Sequence, residues 1–149
     1  MLRLNNKGFS LVEVLIAITV LAIGLLGVAG MQVTAISANT FAQTGTIAIS
    51  LAEEMVDRVR THAGTTPEAY HGIDTSQSIA DIQAAFSDPA EADALAWKSR
   101  LENDLPAPVG TVAVSLNTPT ANAATITVVV TWGTGRSLTV TTILETWGT

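Results

Sequence analysis

From Phe9 to Met31 the chain reads FSLVEVLIAITVLAIGLLGVAGM, an apolar run holding one ionisable side chain, Glu13. A helix needs about 20 such residues to cross the hydrocarbon core of a bilayer. The preceding residues, MLRLNNKG, are short, polar and basic. The positive-inside rule therefore places residues 1–8 in the cytoplasm and everything beyond Met31 outside. Helical character continues further. No proline falls between Gln32 and His62, and Ala48, Leu51, Ala52, Met55 and Val59 recur at helical spacings to form one apolar stripe. Glu54 and Arg58 stand four apart in the favourable order. One helix from about Phe9 to about His62 would run roughly 80 Å at 1.5 Å per residue, and Gly64, followed by Thr-Thr-Pro, is its stop signal.

Residues 64–89 are rich in Gly, Ser, Thr and Asp and read as a loop with a short helix near Ile79–Phe86. Pro89–Leu105 reads as a further helix with Trp97, Leu101 and Leu105 on one face, closed by Pro106 and Pro108. The period then changes. Residues 111–116, 124–132 and 137–144 are rich in β-branched residues and read as strands, although the Val128–Val130 run blurs the alternation of the second. Gly133-Thr-Gly135-Arg136 is a tight turn joining the last two. The predicted fold class is α+β: a long N-terminal hydrophobic helix on a C-terminal antiparallel sheet of at least three strands. The chain divides into a leader (1–8), an apolar half-helix (9–31), an amphipathic half-helix (32–63) and a globular region (64–149).

The 149 residues are 48% hydrophobic and 13% charged, with a mean hydropathy of +0.40, too apolar for a disordered chain and too few for two full domains. Charge is segregated: residues 14–52 carry no Asp, Glu, Lys or Arg, and residues 53–104 carry eleven of the thirteen acids. That stretch, with the loop 64–89 inside it, is where partner specificity is expected. A net charge of −6 without a basic stripe argues against nucleic-acid binding. The absence of cysteine removes disulfides, thiolate metal sites and Cys nucleophiles. His62 and His71 lack ligand spacing, Asp74–Asp81 lacks the pattern of a calcium loop, and no serine elbow or phosphate-cradling glycine loop occurs. Glu53, Glu54 and Asp57 read as a solvated helix face, and Trp97, Trp132 and Trp147 as core or edge aromatics. The expectation is no catalytic site, cofactor, metal or small-molecule substrate.

Glu13 is the physical oddity. A carboxylate at the centre of a membrane helix costs roughly 2.5–3.5 kcal/mol on insertion scales, and less near the interface. Lys7, the nearest cation, is six residues back. Cutting the chain between Gly8 and Phe9 would create an α-amino group four residues before Glu13, and the amine of a neighbouring copy could neutralise it. Gly24, Gly27 and Gly30 each cost about 1 kcal/mol relative to alanine in a helix interior. They read either as points of close helix approach or as a soft stretch that lets the helix bend or extend on leaving the bilayer.

These residues carry a resemblance. The segment MLRLNNKGFSLVEVLIAITVLAIGLLGVAGMQ is similar to the class III signal of type IV prepilins, with a basic leader ending in Gly8, Phe9 first in the mature chain, and Glu13 five residues in. IGLLGVAGMQ, followed by LAEEMVDRVR, resembles the PilV branch of minor pilins, also called type IV pilus modification proteins. The resemblance covers residues 1–62 and implies a pilin-like fold. It also implies cleavage at Gly8–Phe9 and N-methylation of Phe9 by prepilin peptidase, with Glu13 as the carboxylate of subunit assembly. Partners implied are other minor and major pilins and an inner-membrane assembly platform. The subunit would be a single-pass inner-membrane protein with a periplasmic C-terminal region, and later part of a pilus at the cell surface. Two departures from many major pilins, no proline in 24–30 and no cysteine, favour a minor subunit. A pseudopilin of type II secretion and a simple membrane-anchored periplasmic domain are the alternatives.

Overall fold

The computed structural model describes residues 10–62 and 66–145. Gly8, Phe9, the Gly64 stop signal and Trp147 lie outside the described residues. The first element is a single α-helix, α1 (Leu11–His62). Ser10 starts it: its hydroxyl accepts the Val12 N–H at 3.3 Å, and its carbonyl accepts those of Glu13 and Val14. Hydroxyl groups within the apolar stretch are satisfied by the helix itself. Thr19 donates to the Leu15 carbonyl at 2.8 Å, and Thr34, Ser37 and Thr40 donate to carbonyls four residues back. Such bonding lets Thr and Ser enter a medium that offers no water.

The chain forms two compact units, one up to Phe41 and the other from Ala42 onwards. In the first, the large apolar side chains of α1 from Leu11 to Phe41 are exposed. Its 18-residue window of mean hydropathy 2.7 has none of its residues buried, and by length and composition the helix can cross a membrane. The second unit opens with the rest of α1, where Ala48, Leu51, Ala52, Met55, Val56 and Val59 are buried. This is the predicted apolar stripe with Val56 added.

A 3-10 turn (Pro67–Tyr70), α2 (Ile79–Ala85) and α3 (Ala90–Asp104) follow, then β1 (Val109–Leu116), β2 (Ala123–Trp132) and β3 (Arg136–Glu145). The 3-10 turn falls where the sequence reads as loop. Its opening Pro67 supplies helical φ without needing an N–H partner, and Pro67 and Tyr70 are buried. Ser78 caps α2 by accepting the Asp81 N–H. The sheet is antiparallel in the order β1-β2-β3. From Ala124 onwards β2 alternates: Val128 and Val130 are buried and Val129 is half-buried on the other face. The valine run that blurred the pattern is thus a strand with apolar residues on both faces, and only the even-numbered face reaches the core.

Two contacts fix how the helices and sheet meet. Trp97 is fully buried on α3 and donates from Nε1 to the Leu51 carbonyl of α1 at 2.9 Å. β1 crosses that indole at Gly110, where an added Cβ would lie 2.6 Å from Cζ3 of Trp97 and 2.7 Å from Cδ1 of Leu101. Only glycine permits this approach.

The two outer strands differ. Segment 72–75 lies along β1: Gly72 N–H donates to Val112 O, Val112 N–H to Ile73 O, and Thr75 N–H to Gly110 O. The Thr75 hydroxyl accepts the Gly110 N–H, and His71 Nδ1 accepts the Val114 N–H. β3 pairs with β2 on one side and has no strand on the other among the described residues.

Candidate functional site

Two sites emerge, one in each unit. In the first, Glu13 sits in the opening turn of α1, three residues after the capping Ser10. A carboxylate there is favoured by the helix dipole. Ser10-Leu-Val-Glu13 also has the S-x-x-E spacing of a capping box, a second reason for a carboxylate at this position. Glu13 lies on an exposed surface beside Val14, Ala17, Ile18 and Leu21, so its environment among the described residues is apolar. Gly24, Gly27 and Gly30 lie within α1, and a Cβ added at any of them meets nothing within 4 Å. Their lack of side chains answers no packing need inside this unit. Gly8 and Phe9, the expected cleavage pair, lie outside the described residues.

In the second unit the residues predicted as a solvated face prove to be divided. Glu53 and Asp57 are exposed, whereas Glu54 is drawn into ion pairs. Arg58 binds Glu54 Oε1 at 2.8 Å through Nη2 and Asp93 Oδ1 at 2.7 Å through Nη1. Arg100 of α3 pairs with the second oxygen of Glu54. Asp93 also accepts the Tyr70 hydroxyl at 2.7 Å. His62 Nδ1 lies 3.1 Å from that hydroxyl and 3.4 Å from Asp93 Oδ2. The network ties α1, the 3-10 turn and α3 together where the helix ends.

The electrostatics follow from this geometry. Hydrogen bonding to Glu54 raises the Arg58 pKa, burial opposes the shift, and Asp93 adds to it. Burial pushes the Tyr70 phenol well above its ordinary range, and its bond to the Asp93 carboxylate pushes it further. The arrangement holds elements in place. Its depression of about 660 Å³, lined by Glu53, Asp57, Arg58, His62 and Asp93, is open to solvent. Among the described residues no group of His, Asp and Glu is arranged to hold a metal ion. The Glu54–Arg58 pair was legible at its spacing of four. Asp93 was missed, although it falls in the Ala90, Ala94, Trp97, Leu101 stripe of α3 and so occupies the buried face.

Residues 3–29 match the family description "Prokaryotic N-terminal methylation motif". The match takes in Gly8, Phe9, Glu13, Gly24 and Gly27. No curated protein and no solved structure matches the chain. The motif, together with an apolar N-terminal helix of membrane-crossing length, supports a type IV pilin-like or pseudopilin-like protein. A membrane-anchored pilin fits both features, and the motif is consistent with processing by a prepilin peptidase.

Proposed function

We propose that the chain is a minor subunit of a type IV pilus, of the PilV kind, that acts with other minor pilins in initiating or modifying pilus assembly. Prepilin peptidase cuts between Gly8 and Phe9 and methylates the Phe9 amine. Before assembly α1 holds the subunit in the inner membrane with residues 42–149 in the periplasm. Afterwards the same apolar surface packs among the helices of other subunits. The protein is a substrate of the peptidase and not an enzyme.

The observation that carries this reading is Glu13, a carboxylate in the first turn of an exposed apolar helix and within the methylation motif. Burial among other helices leaves that anion without water, and the methylated amine of an adjoining subunit compensates it. Gly24, Gly27 and Gly30 soften the helix, since each lowers helical stability without filling a packing role in the subunit. Mass spectrometry of the N-terminus, on protein from cells with an active peptidase, tests the proposal. A chain beginning at N-methylated Phe9 is the expected result. A retained Met1–Gly8 overturns it. A type II secretion pseudopilin predicts the same processing, and capture of secretion-system rather than pilus subunits separates the two.

A further inference from the structure

We propose that the outer edge of β3 is a docking site for an extended, basic segment of another protein, which adds as a fourth strand beside Glu53 and Asp57 of α1. The observations are independent of the pilin reading. The fold covers the outer edge of β1 with segment 72–75 and leaves that of β3 without a strand among the described residues. A free edge presents a row of backbone donors and acceptors ready to pair, and proteins usually blunt it with Pro, Lys or inward-pointing charge. β3 has none of these along its middle: residues 137–144 read SLTVTTIL, with charges only at Arg136 and Glu145.

The charge beside this edge selects the occupant. β3 lies along α1, with Arg136 Nη1 reaching Thr44 Oγ1 and Arg60 Nη2 reaching Thr142 Oγ1. The sixteen helical steps from Thr44 to Arg60 rise about 24 Å. The six steps from Arg136 to Thr142 span about 20 Å of strand, so the two run side by side. Between them lies a depression of about 270 Å³, lined by Glu53, Asp57, Arg60, Val140, Thr141 and Thr142. Arg60 is engaged by Asp57 and Thr142, and Glu53 has no ion pair or hydrogen bond among the described residues. A second copy is a poor occupant, because twelve of the thirteen acids but only five of the seven basic residues lie beyond Phe41. Twelve acids against five bases give this unit a net charge of −7, and a second copy would bring the same charge to the same edge. Main-chain pairing would supply affinity, and Lys or Arg facing the acidic flank would supply selectivity.

The test uses the full chain in detergent micelles with a synthetic peptide of alternating Lys and Val, matched in length to β3, and its Glu-for-Lys counterpart. Amide hydrogen exchange is read along the sheet. The Lys peptide is expected to slow exchange in residues 137–144 by about tenfold or more while leaving residues 111–115 unchanged. Glu53→Gln with Asp57→Gln should weaken that binding by about tenfold at low ionic strength. Loss of wild-type binding at high salt gives the same information if the variant folds poorly. Unchanged β3 exchange, equal protection by both peptides, or protection that grows with protein concentration alone each overturns the proposal, the last by assigning the edge to a second copy.

Discussion

Arg58 and Asp93, thirty-five residues apart in sequence, meet at 2.7 Å and tie the last turns of α1 to the first turn of α3. Neither partner is strongly exposed, at 29% and 12% of the side chain, so the pair is screened far less than a surface ion pair. Asp93 holds the Tyr70 hydroxyl as well. One carboxylate thus organises three segments.

Removing it should therefore cost more than one contact. Asp93→Ala leaves Arg58 half-paired and Tyr70 with only His62 Nδ1 beside its hydroxyl, and should destabilise the globular unit by about 2–3 kcal/mol. Asp93→Asn keeps an acceptor for Tyr70 and should cost roughly half as much. Thermal unfolding of the two variants beside the wild type measures the difference. Equal losses would show that the charge on Asp93, and not the acceptor that asparagine retains, accounts for the whole effect.

Alkaline pH should loosen the same junction. Burial, reinforced by Asp93, raises the Tyr70 pKa in the folded protein, so the folded state holds this proton more tightly than the unfolded chain. Stability from this group is complete below the unfolded value of about 10, and it is lost as pH rises beyond that. Tyr70 is the single tyrosine in the chain, so its ultraviolet absorbance reports the ionisation directly. Tyr70→Phe should cost about 1–2 kcal/mol at neutral pH and should flatten the alkaline decline.

Gly110→Ala should be among the more damaging small substitutions. Its Cβ would press on the Trp97 ring and on Leu101, both fully buried. A loss of about 2–3 kcal/mol is expected from overpacking of this kind. Chemical denaturation would register it, and an unaltered midpoint would mean that β1 can move away from α3.

The two described tryptophans should respond differently to Phe. Trp97→Phe removes the buried bond to the Leu51 carbonyl and should cost about 2–3 kcal/mol. The buried Nε1 of Trp132 finds no partner among the described residues, so Trp132→Phe relieves an unsatisfied donor and should cost about 1 kcal/mol or less. Comparing their unfolding midpoints checks the ranking.

Glu13→Gln separates assembly from helix capping. A neutral amide keeps hydrogen-bonding capacity at the head of α1 but loses the charge. Membrane insertion should be retained or slightly improved, since the buried charge is gone. Incorporation into filaments should fall by at least about tenfold, corresponding to one lost ion pair of roughly 1.4 kcal/mol or more. Quantitative immunoblotting of sheared filaments against total membranes distinguishes the outcomes, and undiminished incorporation would falsify the assembly role.

Much of the fold was legible because its elements are strongly periodic. The helix predicted over about 9–62 is described as Leu11–His62, and Ile79–Phe86 and Pro89–Leu105 fall within a residue of α2 and α3 at each end. The strands gained one or two residues at their ends, where pairing extends beyond the β-branched runs. The 3-10 turn at Pro67–Tyr70 escaped because four residues carry too little periodicity to stand out from polar loop. Glu54 was read as solvated because its neighbours Glu53 and Asp57 are. Its partner Arg100, forty-six residues away, exists only once α3 packs on α1.

By itself the sequence determined what local chemistry can record: a membrane-length apolar helix, a methylation motif around Glu13, an amphipathic continuation and three strands. Hydropathy and period are written residue by residue, and each element carries them before it meets another. Only the tertiary structure decided that Asp93 would be the anchor for Arg58 and Tyr70, that Gly110 must yield to Trp97, and that β1 would be covered while the edge of β3 stayed open. Those outcomes depend on which distant side chains packing brings within about 3 Å of one another, the range over which hydrogen bonds and steric contact act, and no local pattern specifies such pairings.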